Sequence, residues 1–254
     1  MMLQRHTKVL EILSKHNRAE VSSLAEQLEV SQVTIRKDLD NLEERGLVRR
    51  EHGYACLNTT DDIGKRMAFN YDIKRRIAVA AAASVEEGET VMIESGSCCA
   101  LLAEEIAKSQ KDVTIITNSV FIANFIRHAI RTKIILLGGY YQPESQVLVG
   151  PMTRKCGEIF LSDKFFIGTD GYIPNYGFTG KDQLRSETVM DLAEYARDII
   201  VLTEAEKFQR QGVLGLVRLE KVSAVYTDER ISQEVETQLL DHNILLHKVP
   251  KCVE

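Results

Sequence analysis

Between residues 3 and 15 the side chains of His6, Val9, Leu10 and Leu13 recur at the spacing of one helical face. Residues 17–20 break that pattern. A second helix is predicted to open at Val21-Ser22-Ser23, where Ser23 and Glu26 have the spacing of a capping box and Leu24, Ala25 and Leu28 form the buried side. Glu29-Val30 makes a turn, and Ser31 caps a third helix. In that helix Ile35, Leu39 and Leu42 point inward, and Gly46 ends it. Two short β-type runs around Glu51-His52-Gly53 predict a hairpin wing.

Farther along, the pattern changes. Residues 58–64 are polar and read as a linker; 65–76 are charged and helical, continuing into a buried helix at 77–83 that ends near Glu87-Gly88. From Thr90 onward strands and helices alternate. Strands are predicted at 90–93, 113–117, 133–137, 164–168, 198–203 and 222–227, with helices at 97–108, 120–131 and 186–197. Strands rich in Ile and Val and separated by helices indicate an α/β fold with a parallel sheet covered on both faces. The expected organisation is a winged helix-turn-helix over 1–57, a linker over 58–73 and a larger three-layer α/β domain over 74–254.

Composition narrows the function. The chain has 254 residues, 44% hydrophobic and 27% charged, enough for one or two domains with a core. No apolar run approaches the ~20 residues of a membrane span, and the N-terminus lacks the apolar stretch of a signal peptide, so a cytoplasmic protein is expected without membrane partners. Cys56, Cys98, Cys99, Cys156 and Cys252 show no CxxC spacing, and their odd number argues for free thiols. No metal site and no cofactor are expected. The net charge of −5 excludes a generic polyanion binder. DNA binding must then use a local basic surface repeated in an oligomer.

The third helix supplies such a surface. Small groups at its N-terminal end can approach base edges, and cations reach guanines or phosphates. Ser31, Gln32, Thr34, Arg36 and Lys37 lie on or near its open face, and Arg49, Arg50 and His52 stand where the wing can touch phosphates. The Lys74-Arg75-Arg76 run reads as a solvated face or an interdomain contact rather than a DNA clamp. Arg5, Val9, Leu13, Ser31, the run Thr34-Ile35-Arg36-Lys37-Asp38-Leu39, then Leu42, Gly46, Arg50, His52 and Gly53 resemble the signature of the DeoR family of bacterial transcription regulators. Two positions depart from it: Glu29 stands where the family often has Gly, and Tyr54 where a second Gly is usual.

In parallel sheets, ligands bind beyond the carboxyl ends of the strands. Polar or small residues cluster there: Glu94-Ser95-Gly96-Ser97, Thr117-Asn118-Ser119, Gly138-Gly139 and Gly168-Thr169-Asp170-Gly171, with Glu187 and Lys207 downstream. A Gly flanked by hydroxyls before a helix N-terminus can cradle an anion, a carboxylate can hold sugar hydroxyls, and Lys can meet phosphate as a point charge. Together these predict a pocket. The same segments resemble the DeoR sensor domain, which is similar to ribose-5-phosphate isomerase. That resemblance implies that Ser95, Gly96, Ser97 and Lys207 hold a phosphate, that Asp170 holds sugar hydroxyls, and that Glu187 falls where the isomerases keep their base. Asn118, Gly138, Gly139 and Gly171 complete the expected effector site. Cys98 and Cys99 replace hydroxyl residues of the family, Glu94 an Asp, and Asp191 a Lys.

The resulting expectation is a regulator, a repressor of a carbohydrate operon, that binds double-stranded operator DNA as a homo-oligomer (dimer or tetramer) and answers to a phosphorylated sugar. The alternative is an aldose–ketose isomerase with Glu187 as base. It would need a positioned cation or donor at the carbonyl oxygen, and Asp191 stands in the place of the expected Lys.

Overall fold

The computed structural model describes residues 4–57 and 63–250. Two compact units divide the chain, Met1–Asp72 and Ile73–Glu254. The first holds α1 (Gln4–His16), β1 (Arg18–Glu20), α2 (Val21–Gln27), α3 (Gln32–Glu44), β2 (Arg49–Glu51), β3 (Tyr54–Cys56) and α4 (Ile63–Ala68). Val9, Leu10, Leu13, Leu24, Ile35, Leu39 and Leu42 are wholly buried and form its core. Each contributes about 2 kcal/mol by leaving water.

The ends of α3 follow from single residues. At its start Thr34 N–H donates to Ser31 Oγ at 3.1 Å. At its end Gly46, at φ +71°, lets its own N–H reach Glu43 O (2.8 Å) and Leu47 N–H reach Leu42 O (2.9 Å). These are the two bonds of a Schellman motif. α2 ends the same way, with Glu29 N–H on Glu26 O and Val30 N–H on Ala25 O. There the left-handed position, φ +53°, is held by Glu29.

Residues 18–20 are not a simple break. β1 pairs antiparallel with β3 (Ala19 opposite Ala55), giving a three-stranded wing in the order β1-β3-β2, and the Arg18 guanidinium lies 3.7 Å above the Tyr54 ring centre. α2 consequently begins at Val21, with Glu20 as its N-cap and no side-chain cap. Ser23 is therefore not a cap: it sits inside the helix, where its hydroxyl accepts from Gln27 Nε2. Only His52 and Gly53, at φ +38° and +85°, separate Glu51 from its partner Tyr54, as in a type I′ hairpin turn.

Of the expected linker, residues 58–62 lie outside the described residues. Residues 63–68 form α4, which packs on α1. The single helix read over 65–83 is two helices, because Asn70 adopts φ +53° before α5 (Tyr71–Ala83) begins.

The second unit continues with β4 (Thr90–Ile93), α6 (Ser97–Lys108), β5 (Thr114–Thr117), α7 (Val120–Phe125), β6 (Lys133–Leu136), β7 (Tyr140–Gln142), β8 (Val147–Val149), α8 (Pro151–Gly157), β9 (Ser162–Ile167), β10 (Gly171–Ile173), β11 (Gly177–Gly180), α9 (Gln183–Ala193), β12 (Ala196–Leu202), β13 (Leu214–Arg218), β14 (Val222–Asp228), α10 (Gln233–Asp241) and β15 (Leu245–Val249). A 3₁₀ turn spans Ala205–Gln209. Seven strands form one parallel sheet in the order β15-β14-β12-β9-β4-β5-β6. From β4 the chain steps outward to β5 and β6, returns to β9 on the other side of β4, and steps outward again. The order therefore reverses between β4 and β9, where such sheets open a crevice.

Met92, Ile116, Phe165, Ile167, Ile199 and Val201 pack with Val189 and Leu192 of α9 and Leu239 of α10. The alternate positions Val91, Ile93, Ile115, Phe166 and Ile200 are buried too, so both faces of the sheet are covered. The periodicity of the sequence does not reveal the β7–β8 hairpin, the antiparallel β10-β11-β13 sheet, α8, α10 or β15. α7 stops six residues short of its expected end. α9 starts three residues earlier than expected, where the Asp182 side chain caps it by accepting from Arg185 N–H at 2.9 Å.

Candidate functional site

The first candidate is the exposed start of α3. Ser31, Gln32, Arg36 and Lys37 are exposed there and Thr34 is half-buried. Ser31 Oγ lies 2.9 Å from Thr34 Oγ1, and Arg36 Nη2 reaches Gln32 Oε1 at 3.5 Å. Val33, 61% exposed, adds an apolar surface beside them. The structure thus gathers all five expected reading residues on one helix end.

The buried side of α3 fixes that end in place. Asp38 accepts from Arg5 Nε, from Arg5 Nη2 at 3.0 Å, and lies 3.0 Å from His6 Nε2. Burial raises the pKa of its carboxyl, but the hydrogen bonds from Arg5 and His6 outweigh it and hold the group below the ordinary Asp value. The bond to Asp38 likewise raises the pKa of the Arg5 guanidinium. In the wing, Arg49 pairs with Glu51 at 2.6 Å, Arg50 pairs with Asp40, and His52 stands exposed at the tip.

The second candidate lies beyond the carboxyl ends of β4 and β9, at the reversal of strand order. Ser95 is buried, and its Oγ donates to Glu94 Oε1 at 2.8 Å; Gly96 N–H donates to Glu94 Oε2 at 2.7 Å. Ser97 opens α6, whose first turn carries no acidic side chain. Lys207, on the 3₁₀ turn, is half-buried; desolvation lowers its ammonium pKa, opposed by the nearby carboxylates of Glu204 and Asp170. Ala205 N–H donates to Asp228 Oδ2 at 2.8 Å, which anchors that turn to the end of β14. Asp170 accepts from Lys181 N–H at 3.1 Å.

Lys74 also belongs to this cluster, against its reading as part of a solvated face. It is 3% exposed and its Nζ lies 3.2 Å from Glu204 Oε1. Cys98 Sγ stands 3.9 Å from Glu204 Oε2, and burial, then the Glu204 charge, push its thiol well above the ordinary cysteine range. Sequence reasoning misses Lys74 and Glu204 as site residues. Glu204 carries a usable signal, since it stands just beyond the end of β12, as Glu94 does beyond β4.

The other expected residues fall into different roles. Asn118 is buried at the end of β5; its Nδ2 donates to Leu148 O at 2.9 Å, while Oδ1 has no hydrogen-bond partner. Gly138 and Gly139 lie against α8, and a Cβ at Gly139 would meet Thr153 Oγ1 at 2.0 Å. At Gly171 a Cβ would stand 2.5 Å from Arg210 O, so close backbone approach accounts for that glycine. Glu187 is exposed and accepts from Gln183 Nε2 at 2.8 Å. It lines a cavity of about 320 Å³ with Gly150, Pro151, Arg154, Thr188, Met190 and Asp191, none of which belongs to the Ser95–Lys207 cluster. Arg154 pairs there with Asp191 at 3.2 Å. Among the described residues no group of His, Cys, Asp and Glu is placed to hold a metal ion, and no helix is long and apolar enough to cross a membrane.

A winged helix-turn-helix joined to a sensor domain defines the class: the protein is a DNA-binding transcription regulator. Residues 5–61 match the DeoR-like helix-turn-helix domain and residues 69–229 the DeoR C-terminal sensor domain, so the chain belongs to the DeoR family. Similar proteins include the glycerol-3-phosphate regulon repressor of Escherichia coli, 28% identical over 96% of this chain and 97% of its own length. The L-fucose operon activator of Haemophilus influenzae is 25% identical over 96% and 99%. Ribose 5-phosphate isomerase A from Neisseria gonorrhoeae aligns with 54% of this chain and 53% of its own, at 15% identity and a TM-score of 0.41.

Proposed function

We propose that the protein represses a carbohydrate operon in the cytoplasm and leaves its operator when a phosphorylated sugar enters the crevice between β4 and β9. The observation that carries the ligand is the meeting of a helix N-terminus with half-buried Lys207 and Asp170 at the reversal of the sheet. Such a site offers N–H groups and a cation to phosphate and a carboxylate to hydroxyls. Ser95, Gly96, Ser97 and Lys207 form the phosphate end, and Asp170 the hydroxyl end. Operator DNA is met by Ser31, Gln32, Thr34, Arg36 and Lys37 in the major groove, with Arg49, Arg50 and His52 along the backbone. A homo-oligomer places two such helices in successive major grooves. Binding without turnover is favoured over isomerisation because Arg154, the cation that lines the same cavity as Glu187, is already paired with Asp191.

To release DNA, a ligand must bind one state more tightly than the other. Thermal unfolding against a panel of sugar phosphates and their unphosphorylated parents tests the ligand. At 100-fold over its dissociation constant, the effector adds about 2.7 kcal/mol, and the same compound dissociates the operator complex. Stabilisation by an unphosphorylated parent alone would overturn the phosphate assignment.

A further inference from the structure

A crevice at the strand-order reversal of a parallel sheet ordinarily presents free N–H groups to a ligand. In this chain an internal carboxylate already takes two of them and a hydroxyl beside them. Glu94 Oε2 accepts from Gly96 N–H at 2.7 Å and from Gly168 N–H at 3.2 Å, and Oε1 accepts from Ser95 Oγ at 2.8 Å. Two of these donors follow β4 and the third follows β9, so the carboxylate bridges the two strands that flank the reversal. Glu94 N–H still bonds Phe166 O at 2.9 Å, which keeps its backbone in register with β9 beyond the end of β4. From that position a glutamate is long enough to fold back over the next two residues. α6 has no acidic side chain of its own in its first turn, and Glu94 Oε2 meets the N–H of Gly96, its N-cap. The space is tight: a Cβ on Gly96 would stand 2.9 Å from Glu94 Oε2 and 3.3 Å from Gly168 Cα.

We propose that Glu94 is a tethered competitor for the anionic group of the effector, filling the crevice in the free protein and swinging out when a phosphate enters. This rests on the reading of the crevice as the effector site. Two anions cannot share one set of donors without strong repulsion, so the affinity for phosphate is what remains after Glu94 has been displaced. Glu94 therefore sets the ligand concentration at which the regulator responds.

The test is calorimetric titration of inorganic phosphate into the full-length protein and into its Glu94→Gln and Glu94→Ala variants, with thermal unfolding of each as a control of folding. Glu94→Gln keeps an acceptor of the same reach without the charge, and its phosphate affinity rises at least tenfold over the parent protein. Glu94→Ala leaves three donors bare; it melts at a lower temperature than the parent and is raised by phosphate by more degrees. Equal phosphate affinity in all three proteins overturns the competitor and leaves the effector site standing. Binding by the parent but by neither variant makes Glu94 a support of the site and overturns the proposal as well. Absence of binding in all three folded proteins removes the anion site itself, and the competitor with it.

Discussion

Asp38 shows what one buried carboxylate requires of its neighbours. A charge inside a small helical unit is costly unless it is paired and hydrogen-bonded, and α1 supplies Arg5 and His6 for that purpose. The pairing also orients α3, because Asp38 lies on the helix that carries Arg36 and Lys37 on its other side. The folded-state pKa of Asp38 is lowered below its ordinary value. Its stabilisation is therefore fully present above the ordinary carboxylate range and is lost as pH falls through the lower, folded value. Asp38→Asn is expected to cost about 3 kcal/mol near neutral pH and to flatten the acid side of the stability profile. Urea melts at a series of pH values measure both effects; an unchanged acid limb would mean that other carboxylates govern it.

At the scale of elements, what can be read from the sequence depends on length and on local chemistry. α3 is legible because its cap, its apolar stripe and its terminating glycine all lie within sixteen residues, and β4, β5 and β6 because each is a short run rich in Ile and Val. Three-residue strands such as β1, β7 and β10 hold too few positions to show a period. The break between α4 and α5 falls on Asn70, with no proline or glycine to announce it. In the crevice, the polar residues at strand ends are visible in the sequence, but their partners are not. Gly168 is bonded to a side chain 74 residues away, a pairing that only the sheet order brings about. The turn between α2 and α3 is visible as a departure from the family, and its cost follows from the backbone. Glu29 holds a left-handed position that disfavours a side chain by about 1–2 kcal/mol. Glu29→Gly is expected to stabilise the protein by about 1 kcal/mol or less, since the freer unfolded chain offsets part of the gain. Urea unfolding reads the difference, and a loss of stability would show that the Glu29 side chain holds the turn.

For the whole molecule, a net charge of −5 leaves DNA affinity to a few local cations. Two of the wing cations are engaged internally, Arg49 by Glu51 and Arg50 by Asp40. Asp40→Asn is therefore expected to strengthen binding to any duplex, steepening the dependence of log K on log salt by about 0.9 for each further phosphate neutralised. Arg36→Ala acts differently, costing about 1–3 kcal/mol on the operator and lowering its preference over other sequences. Filter binding over a range of salt on operator and random duplexes separates the two effects. A uniform loss on both duplexes in Arg36→Ala would make that residue a phosphate contact. The reversal of strand order between β4 and β9 has a further consequence. Aliphatic strand interiors hold the sheet together, whereas the groups that face a ligand stand on short loops beyond the strand ends. On the proposed reading of the crevice, an exchange such as one more methylene at Glu94 retunes what the regulator senses while its folding problem stays solved. A scaffold of this kind lets one gene-control device be re-addressed to new metabolites in small steps.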